Sequence, residues 1–273
     1  MMGSRADAGY LDWLVACLQA DPFFEIKLLT MEHGIVMSHE RGDMEWLLLF
    51  GDRLEVLLSA ISAYVLQIPI CHLAGGDRTR SAYDDGFRDC ISRLATLHCA
   101  MSTPSAHRLC ARGYTNVHLV GNLALDYIRH GAWKQGRPYR EPYAVVSYQP
   151  ETRDATTTIA DLWPLLPRDK RVIFLLPNPD VGAEAIRVQI HEYCMTHAAT
   201  WYHDAMPHHD FLNLLFHCDE FIGNSSAMFY EAPALGVKTR LVGTRQEGRI
   251  IPEGDGHASE RILAILKQQA ATP

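Results

Sequence analysis

The chain has 273 residues, of which 48% are hydrophobic and 21% charged, a composition typical of a folded globular protein. Its formal net charge of −7 argues against a general nucleic-acid-binding protein, because affinity for a phosphate backbone depends on clustered lysine and arginine. The N-terminal residues lack an apolar signal segment and no apolar run is long enough to span a bilayer, so we expect a cytoplasmic protein that does not bind membranes.

The 7 cysteines are scattered along the chain, with no C-x-x-C pair, and most fall within apolar runs. Free thiols in a reducing compartment explain this pattern better than a disulfide framework or a zinc site. The histidines His203, His208 and His209 match no known metal-ligand spacing, and a helix cap near Pro207 explains that segment better. The sequence therefore predicts no metal site.

Short apolar runs alternate with amphipathic stretches along the chain. The predicted strands are Phe24–Leu29, Trp46–Phe50, Pro69–Leu73, Cys99–Met101, Val117–Val120, Tyr143–Tyr148, Val172–Leu176, Trp201–Tyr202, Glu220–Ile222 and Thr239–Val242. The predicted helices are Gly9–Gln19, Leu54–Gln67, Asp84–Leu97, Ala183–Thr196, His209–His217, Ser226–Leu235 and His257–Gln268. This alternation predicts an α/β fold with two Rossmann-like, doubly wound parallel sheets.

The polar segment Gly131–Pro142, which contains proline and glycine, is the predicted domain boundary, dividing the chain into domains 1–137 and 138–273. The first domain is predicted to be shortened. Only Thr30 to Glu45 separates its first two apolar runs, whereas a βαβ unit needs about 30 residues or more. Because Gly3–Asp7 reads as the turn that follows a strand, we expect a first strand encoded upstream of Met1 or lost from the gene.

A polar turn, Gly223-Asn224-Ser225-Ser226, follows the predicted strand Glu220–Ile222 and opens a predicted helix. Ligands bind at the carboxyl ends of strands in open parallel sheets, and a helix N-terminus with hydroxyl groups suits a phosphate. Capping by serine is the structural alternative, and the two roles are compatible because they share one geometry. The turn predicts a site for a nucleotide or nucleotide sugar.

Two carboxylates in the first half of the chain are candidate catalytic groups. Asp52 follows the predicted strand Trp46–Phe50, and Asp85 lies at the start of a predicted helix, with Arg88 one turn further on. Both are candidates for proton transfer, and helix capping is the alternative for each. His72 ends a buried strand, where a hydrogen-bonded core histidine is the alternative to a catalytic base.

Several short motifs occur in one order along the chain. They are Gly3-Ser4-Arg5-Ala6-Asp7, Gly51-Asp52-Arg53, His72-Leu73-Ala74-Gly75-Gly76-Asp77, Asp84-Asp85-Gly86-Phe87-Arg88, Val120-Gly121-Asn122, Pro177-Asn178-Pro179-Asp180 and the segment from Gly223 to Arg249. Together they resemble the UDP-N-acetylglucosamine 2-epimerases, particularly the hydrolysing branch of the sialic-acid pathway. The resemblance implies a glycosyltransferase-B-like fold with the active site between the domains, and elimination of UDP to a glycal followed by hydration to N-acetylmannosamine.

The resemblance also implies residue roles. Asp52, Asp85 and His72 form the implied catalytic set. The residues implied to bind the UDP-amino sugar are Arg5, Arg88, Gln149, Asn224, Ser225, Ser226 and Glu231, with Arg245 and Arg249 as helpers or as ordinary solvated loop residues. No cofactor and no catalytic metal are implied, and a homodimer is expected.

Two positions depart from the family pattern. Ala74 stands where the family usually has glutamate, and Gln149 stands where it usually has histidine. A methyl group cannot move a proton and an amide does not titrate near neutral pH, so both changes affect catalysis rather than folding. Three functions therefore stay open: a working hydrolysing epimerase, an impaired relative that binds a UDP-sugar, or a glycosyltransferase of similar architecture.

Overall fold

The computed structural model describes residues 5–29, 43–78, 84–131, 133–151, 159–246 and 254–271, with side chains from residue 9 onward. The described residues up to 131, together with 254–271, form one compact unit, and the others form a second. The first unit contains α1 (Arg5–Ala20), β1 (Leu47–Phe50), α2 (Leu54–Val65), β2 (Ile70–Leu73), α3 (Asp84–Leu94), β3 (Leu97–Ala100), α4 (Thr103–Ala111), β4 (Val117–Leu119), α5 (Leu123–His130) and the C-terminal helix.

The second unit follows the same alternation of strand and helix. It contains β5 (Tyr143–Ser147), a 3-10 turn (Trp163–Leu165), β6 (Arg171–Leu175), α6 (Ala183–Thr196), β7 (Thr200–His203), α7 (His208–Phe216), β8 (Glu220–Gly223), a second 3-10 turn (Ser226–Met228), α8 (Glu231–Ala234) and β9 (Thr239–Leu241). The C-terminal helix of the first unit is α9 (Ala258–Ala270).

Each unit is built on a parallel sheet. The first sheet has the order β1-β2-β3-β4, and the second has the order β7-β6-β5-β8-β9. In the second sheet the chain moves outward from β5 to β7 and then continues on the other side of β5 with β8, so the switch point lies between β5 and β8. The predicted α/β fold with two Rossmann-like units is confirmed.

Burial on both faces explains why the central strands are continuous apolar runs. Successive residues of β5 belong to different core clusters, with Ala144 and Val146 on one face and Tyr143 and Val145 on the other. All four are almost fully buried. Because each buried aliphatic side chain contributes about 1.5–3 kcal/mol, short strands of this composition are stable inside a layered fold.

Three predictions differ from the structure by more than the ends of an element. The run Phe24–Leu29 is not a strand, and its Leu28 is 53% exposed, so it lacks the burial that an apolar strand requires. Arg5 begins α1 and does not lie in a turn. The predicted helix Ser226–Leu235 is interrupted after Met228, because in a continuous helix the Pro233 ring would clash with the carbonyl of Phe229.

Two helices were not predicted, and both begin with a side-chain cap. Ser102 accepts a hydrogen bond from Ser105 N at the start of α4, and Asn122 accepts one from Ala124 N at the start of α5. Capping signals of this kind identify a helix start even where the apolar periodicity is weak, as in α4.

The C-terminal helix belongs to the first unit, which differs from the predicted division into 1–137 and 138–273. Asp126 of α5 accepts hydrogen bonds from Ala258 N at 3.0 Å and Ser259 N at 2.5 Å, which caps α9. Further along, Lys267 Nζ lies 2.5 Å from a carboxylate oxygen of Asp21. Side-chain partners at such large sequence separation were not visible in the local pattern. None of the helices in the described ranges combines the length and the apolar character that crossing a membrane takes.

Candidate functional site

The first cluster of predicted site residues lies at the carboxyl end of β1. Gly51 leaves the strand with φ +84°, a left-handed conformation that favours glycine, and turns the chain into Asp52. Asp52 therefore lies at the carboxyl edge of the sheet, where parallel sheets collect ligand-binding side chains. It does not cap α2, whose N-cap residue is Arg53 and has no side-chain cap bond.

Arg88 connects the two predicted carboxylates. From α3, its NH2 group donates to Asp52 Oδ2, and its NH1 group donates to Asp85 Oδ1 at 2.6 Å and to the Asp77 carbonyl at 2.7 Å. The Arg88 side chain is only 5% exposed, and the side chains of Asp52 and Asp85 are 22% and 14% exposed. The structure thus brings together Asp52, Asp85 and Arg88, and leaves both carboxylates in partial contact with solvent.

His72 is a fully buried residue of β2 that supports the turn before Asp52. Its Nε2 donates to the Gly51 carbonyl at 2.9 Å, because a carbonyl only accepts, and its Nδ1 accepts from Ser92 Oγ at 2.9 Å. Burial lowers the pKa of His72 to about 4, so the ring is neutral at pH 7. With both nitrogens engaged, the geometry supports a positioning role. The catalytic role of His72 stays a prediction.

A second layer of polar contacts surrounds this cluster. Arg78 donates to Asp89 at 3.2 Å and lies 3.9 Å from Asp85, while Asp77 accepts from Ser105 Oγ. Ser92, the partner of His72, was not predicted as a site residue. Its position one turn after Arg88 on α3 was the available signal, since residues at i and i+4 share a helix face.

The second cluster lies at the switch point of the second sheet. Gly223 has φ +139°, and a Cβ atom there would lie 2.0 Å from the Ser147 carbonyl oxygen, so only glycine allows β5 and β8 to end this close together. The next residue, Asn224, is fully buried. Its Oδ1 accepts from Gln149 N at 2.6 Å and its Nδ2 donates to Gln149 O at 2.8 Å.

Asn224 and Gln149 therefore hold the ends of β5 and β8 together. The Gln149 amide donates to Ser147 Oγ at 3.3 Å and accepts from Asn178 N at 3.1 Å. These hydrogen bonds account for both amide side chains within the protein. The predicted contact of either residue with substrate is a prediction that these bonds do not test.

The serine turn follows directly. Ser225 caps the short 3-10 turn, with its Oγ accepting from Ala227 N at 3.3 Å, and Ser226 is half-buried. Glu231 is buried, and its Oε1 lies 3.6 Å from Nε2 of His208. The serine turn therefore opens a 3-10 turn and not the long helix that was predicted, because of Pro233, and its binding of an anion stays a prediction.

The loop after β9 makes hydrogen bonds to Glu151 that were not predicted. Glu151 accepts from Thr244 N at 3.0 Å, Thr244 Oγ1 at 3.0 Å and Arg245 N at 3.1 Å. Arg245 NH1 in turn donates to the Asn224 carbonyl at 3.2 Å. This loop is therefore bonded to the same switch-point residues. Arg249 and the side chain of Arg5 lie outside the described residues.

The three histidines weighed as metal ligands have separate partners. His203 Nε2 lies 3.0 Å from Tyr139 Oη, His208 pairs with Glu231, and His209 Nε2 lies 3.4 Å from Asp210 Oδ1. Their side chains are directed to different neighbours in the second unit.

Comparisons with a family model and with individual proteins indicate the same family. The family model described as UDP-N-acetylglucosamine 2-epimerase matches residues 28–253. A UDP-N-acetylglucosamine 2-epimerase from Neisseria meningitidis is 29% identical over 219 residues, which cover 75% of this chain and 57% of that protein. A UDP-N,N'-diacetylbacillosamine 2-epimerase (hydrolyzing) from Legionella pneumophila is 29% identical over 230 residues, which cover 79% of this chain and 60% of that protein. The chain thus spans less than two thirds of the length of these relatives.

Solved structures agree on the fold. The UDP-N-acetylglucosamine 2-epimerase from Rickettsia bellii superposes with a TM-score of 0.72 at 16% identity, covering 98% of this chain and 95% of that one. The Neisseria meningitidis enzyme, bound to UDP-GlcNAc, gives a TM-score of 0.67 at 14% identity, covering 96% of this chain and 89% of that one.

Replacing Arg88 with methionine tests the bridge between the carboxylates. The substitution keeps the length of the side chain but removes the charge that compensates Asp52 and Asp85, so the free energy of unfolding should fall by about 3–5 kcal/mol. Urea unfolding measures the loss. Arg93→Met, at an exposed position of the same helix, should change it by no more than about 0.5 kcal/mol. Equal effects of the two substitutions would contradict the bridge.

The buried histidines predict a pH dependence of stability. Burial lowers the pKa of both His72 and His98 to about 4 from an ordinary value of 6.5, so the unfolded chain binds protons that the folded chain does not. The contribution of these two histidines to the free energy of unfolding is fully present above pH 6.5 and is lost as the pH falls towards 4. The loss is about 2 kcal/mol per histidine between pH 7.5 and 5. Urea unfolding at both pH values should show a smaller difference for His72→Gln. His107→Gln, at an exposed position, should not reduce it.

Proposed function

Because the chain belongs to the UDP-N-acetylglucosamine 2-epimerase family, we propose that it binds a UDP-amino sugar and converts UDP-N-acetylglucosamine into N-acetylmannosamine and UDP. The observation that carries this proposal is the Asp52–Arg88–Asp85 bridge at the carboxyl edge of the first sheet. The description of the Legionella relative as hydrolyzing supports the hydrolysing, sialic-acid-pathway type.

The proposed reaction has two steps that need opposite proton transfers. In the first, a carboxylate takes the proton from C2 of the sugar, the C1–O bond breaks, and UDP leaves with the bonding electrons to give a glycal. In the second, a carboxylic acid returns a proton to C2 while water adds its oxygen at C1 and gives up one proton to the other carboxylate. Asp52 and Asp85 are the partly exposed acid–base groups proposed for these transfers. Arg88 offsets their mutual repulsion by lying between them.

The uridine diphosphate is proposed to bind at the switch point of the second unit. Ser225 and Ser226 follow β8 there, and hydroxyl and backbone N–H groups at such a turn suit phosphate oxygens. The Asn224–Gln149 hydrogen bonds keep the turn rigid, which reduces the entropy lost on binding. Glu231 is proposed as the acceptor for ribose hydroxyls, with Arg5 as the diphosphate cation.

One alternative has specific support. Ala74 and Gln149 replace residues that the family usually has as glutamate and histidine, and the Gln149 amide is bonded to Asn178 and Ser147. A relative that binds the UDP-sugar with little or no turnover would have this pattern. In that case the protein acts as a sensor or as a subunit of another enzyme.

Localisation and assembly are further parts of the proposal. The scattered cysteines, which include no C-x-x-C pair, support a reducing cytoplasm as the location, and Cys71 Sγ and Cys99 Sγ form a thiol–thiol contact at 3.8 Å. An exposed apolar stripe on α2, formed by Leu54, Leu58, Ile61 and Val65, supports a homodimer, which sedimentation velocity measures.

Incubation with UDP-N-acetylglucosamine in heavy water tests the proposed activity. Proton NMR should detect free UDP together with N-acetylmannosamine that carries deuterium at C2, because the proton removed from C2 exchanges with solvent before it returns. Asp52→Asn should abolish both signals. Binding of UDP without turnover would support the impaired relative, and release of UDP only when an acceptor is added would support a glycosyltransferase.

Restoring glutamate at position 74 and histidine at position 149 tests whether the loss of these groups limits the activity. Ala74→Glu combined with Gln149→His should raise the rate by about a hundredfold or more, the contribution of a positioned acid or base. Ala74 already has φ +63°, so glutamate there adds little backbone strain beyond that of alanine. The rate of UDP release measures the gain. No gain in a double variant that still binds UDP would exclude these positions as the cause.

A further inference from the structure

We propose that His130, His257 and Glu260 form a binding site for a divalent transition-metal ion of the zinc class in the first unit. One imidazole nitrogen from each histidine and one carboxylate oxygen of Glu260 lie within 4.8 Å of one another. This set is distinct from the histidines of the second unit and from the Asp52–Arg88–Asp85 cluster. The inference is independent of the proposed function.

The donor set has the chemistry of a zinc site. Two imidazoles and one carboxylate are ligands that Zn²⁺ binds at about 2.0–2.2 Å, so neighbouring ligand atoms of a tetrahedral ion lie roughly 3.4 Å apart. Small rotations about the side-chain bonds close the remaining difference from 4.8 Å. Glu260 is 64% exposed and His257 33% exposed, which gives a free ion a route to the site. Three protein ligands leave a fourth position for water.

The ligands are already oriented by their neighbours. His130 Nε2 lies 3.0 Å from the Gly256 carbonyl, and the ring stacks on Trp13 with centroids 5.1 Å apart and planes 14° from parallel. His257 Nδ1 lies 3.1 Å from Glu260 Oε1. That nitrogen is shielded from solvent, yet its geometry makes no hydrogen bond within the described part of the chain. A cation between the two groups would satisfy both.

The surrounding charges favour a cation. Helix α9 begins at Ala258, and its N-terminal N–H groups would repel a positive ion, but Asp126 already accepts hydrogen bonds from two of them. The nearby arginines are also paired, because Arg261 binds the Asp255 carboxylate at 2.6 and 2.9 Å and Arg129 donates to the Asp255 carbonyl. The carboxylate of Glu260 is then the charge that directly faces the ion.

The position of the site indicates its role. His130 ends α5, just before the chain leaves the first unit, and His257 and Glu260 lie where the chain has returned to it at the start of α9. An ion bound here joins two segments that lie far apart in sequence, as a disulfide would, and constrains the unfolded chain. The site is therefore a structural clamp on the first unit that responds to metal supply.

Zinc titration of the tag-free, EDTA-treated full chain tests the site. Isothermal titration with ZnCl₂ should give one ion per chain at micromolar affinity, and saturating Zn²⁺ should raise the Tm by about 5 °C. His257→Ala and the milder Glu260→Gln should each weaken binding at least tenfold and abolish the rise in Tm. His209→Ala, at a half-buried histidine of the second unit, is the matched control and should change neither.

Tryptophan emission gives a second readout that depends on the location of the ion. Cu²⁺ bound to His130 should quench Trp13, which lies against that ring, and Trp13→Phe should remove most of the saturable quenching. Circular dichroism shows whether each variant is folded. The proposal is overturned if no saturable zinc binding occurs, if His257→Ala and Glu260→Gln bind zinc as the unsubstituted chain does, or if the quenching persists in Trp13→Phe.

Discussion

A buried guanidinium is the constraint on which the first unit depends. Arg88 has a side chain that is 5% exposed, and a charge taken out of water at such a position is costly unless it is paired and fully hydrogen-bonded. Its partners come from three segments: the turn after β1, the start of α3, and the Asp77 carbonyl in the loop after β2. The same contacts that offset the cost of burial fix the positions of Asp52 and Asp85. Stability and the arrangement of the proposed acid–base pair are therefore coupled through one side chain.

In the second unit, neutral side chains hold the corresponding strand ends together. At its switch point, Asn224 binds both backbone polar atoms of Gln149, and glycine at position 223 lets the two strand ends approach closely. The Asn224 and Gln149 amides carry no net charge. The electrostatic field at the serine turn is therefore determined by the backbone dipoles and by any arginine side chain that reaches the turn. A phosphate would meet preformed N–H and hydroxyl groups and would require little reorganisation.

Much of this could be predicted from sequence because the relevant signals are local. Apolar runs identified the strands that lie in the two sheets, and Asp52 and Asp85 were recognisable because each stands where a strand or loop enters a helix. The apolar run Phe24–Leu29 misled the prediction, since apolar character alone does not supply a neighbouring strand. Pro233 was visible, but the break it imposes depends on the carbonyl four residues earlier. The partners of His72 could not be predicted, because Ser92 and Gly51 meet it only after the sheet and α3 pack together.

The placement of α9 has a consequence for how the chain can be divided. Since this helix caps on Asp126 and reaches Asp21, residues 133–246 are inserted between two parts of the first unit. No single cleavage can therefore separate the two units intact. A fragment that ends near residue 137 lacks α9, and the complementary fragment carries α9 without the unit on which its apolar face packs. Autonomous expression of the first module requires a short splice from residue 131 to residue 254 in place of the insert. The same architecture makes that junction a suitable place for inserting a different domain.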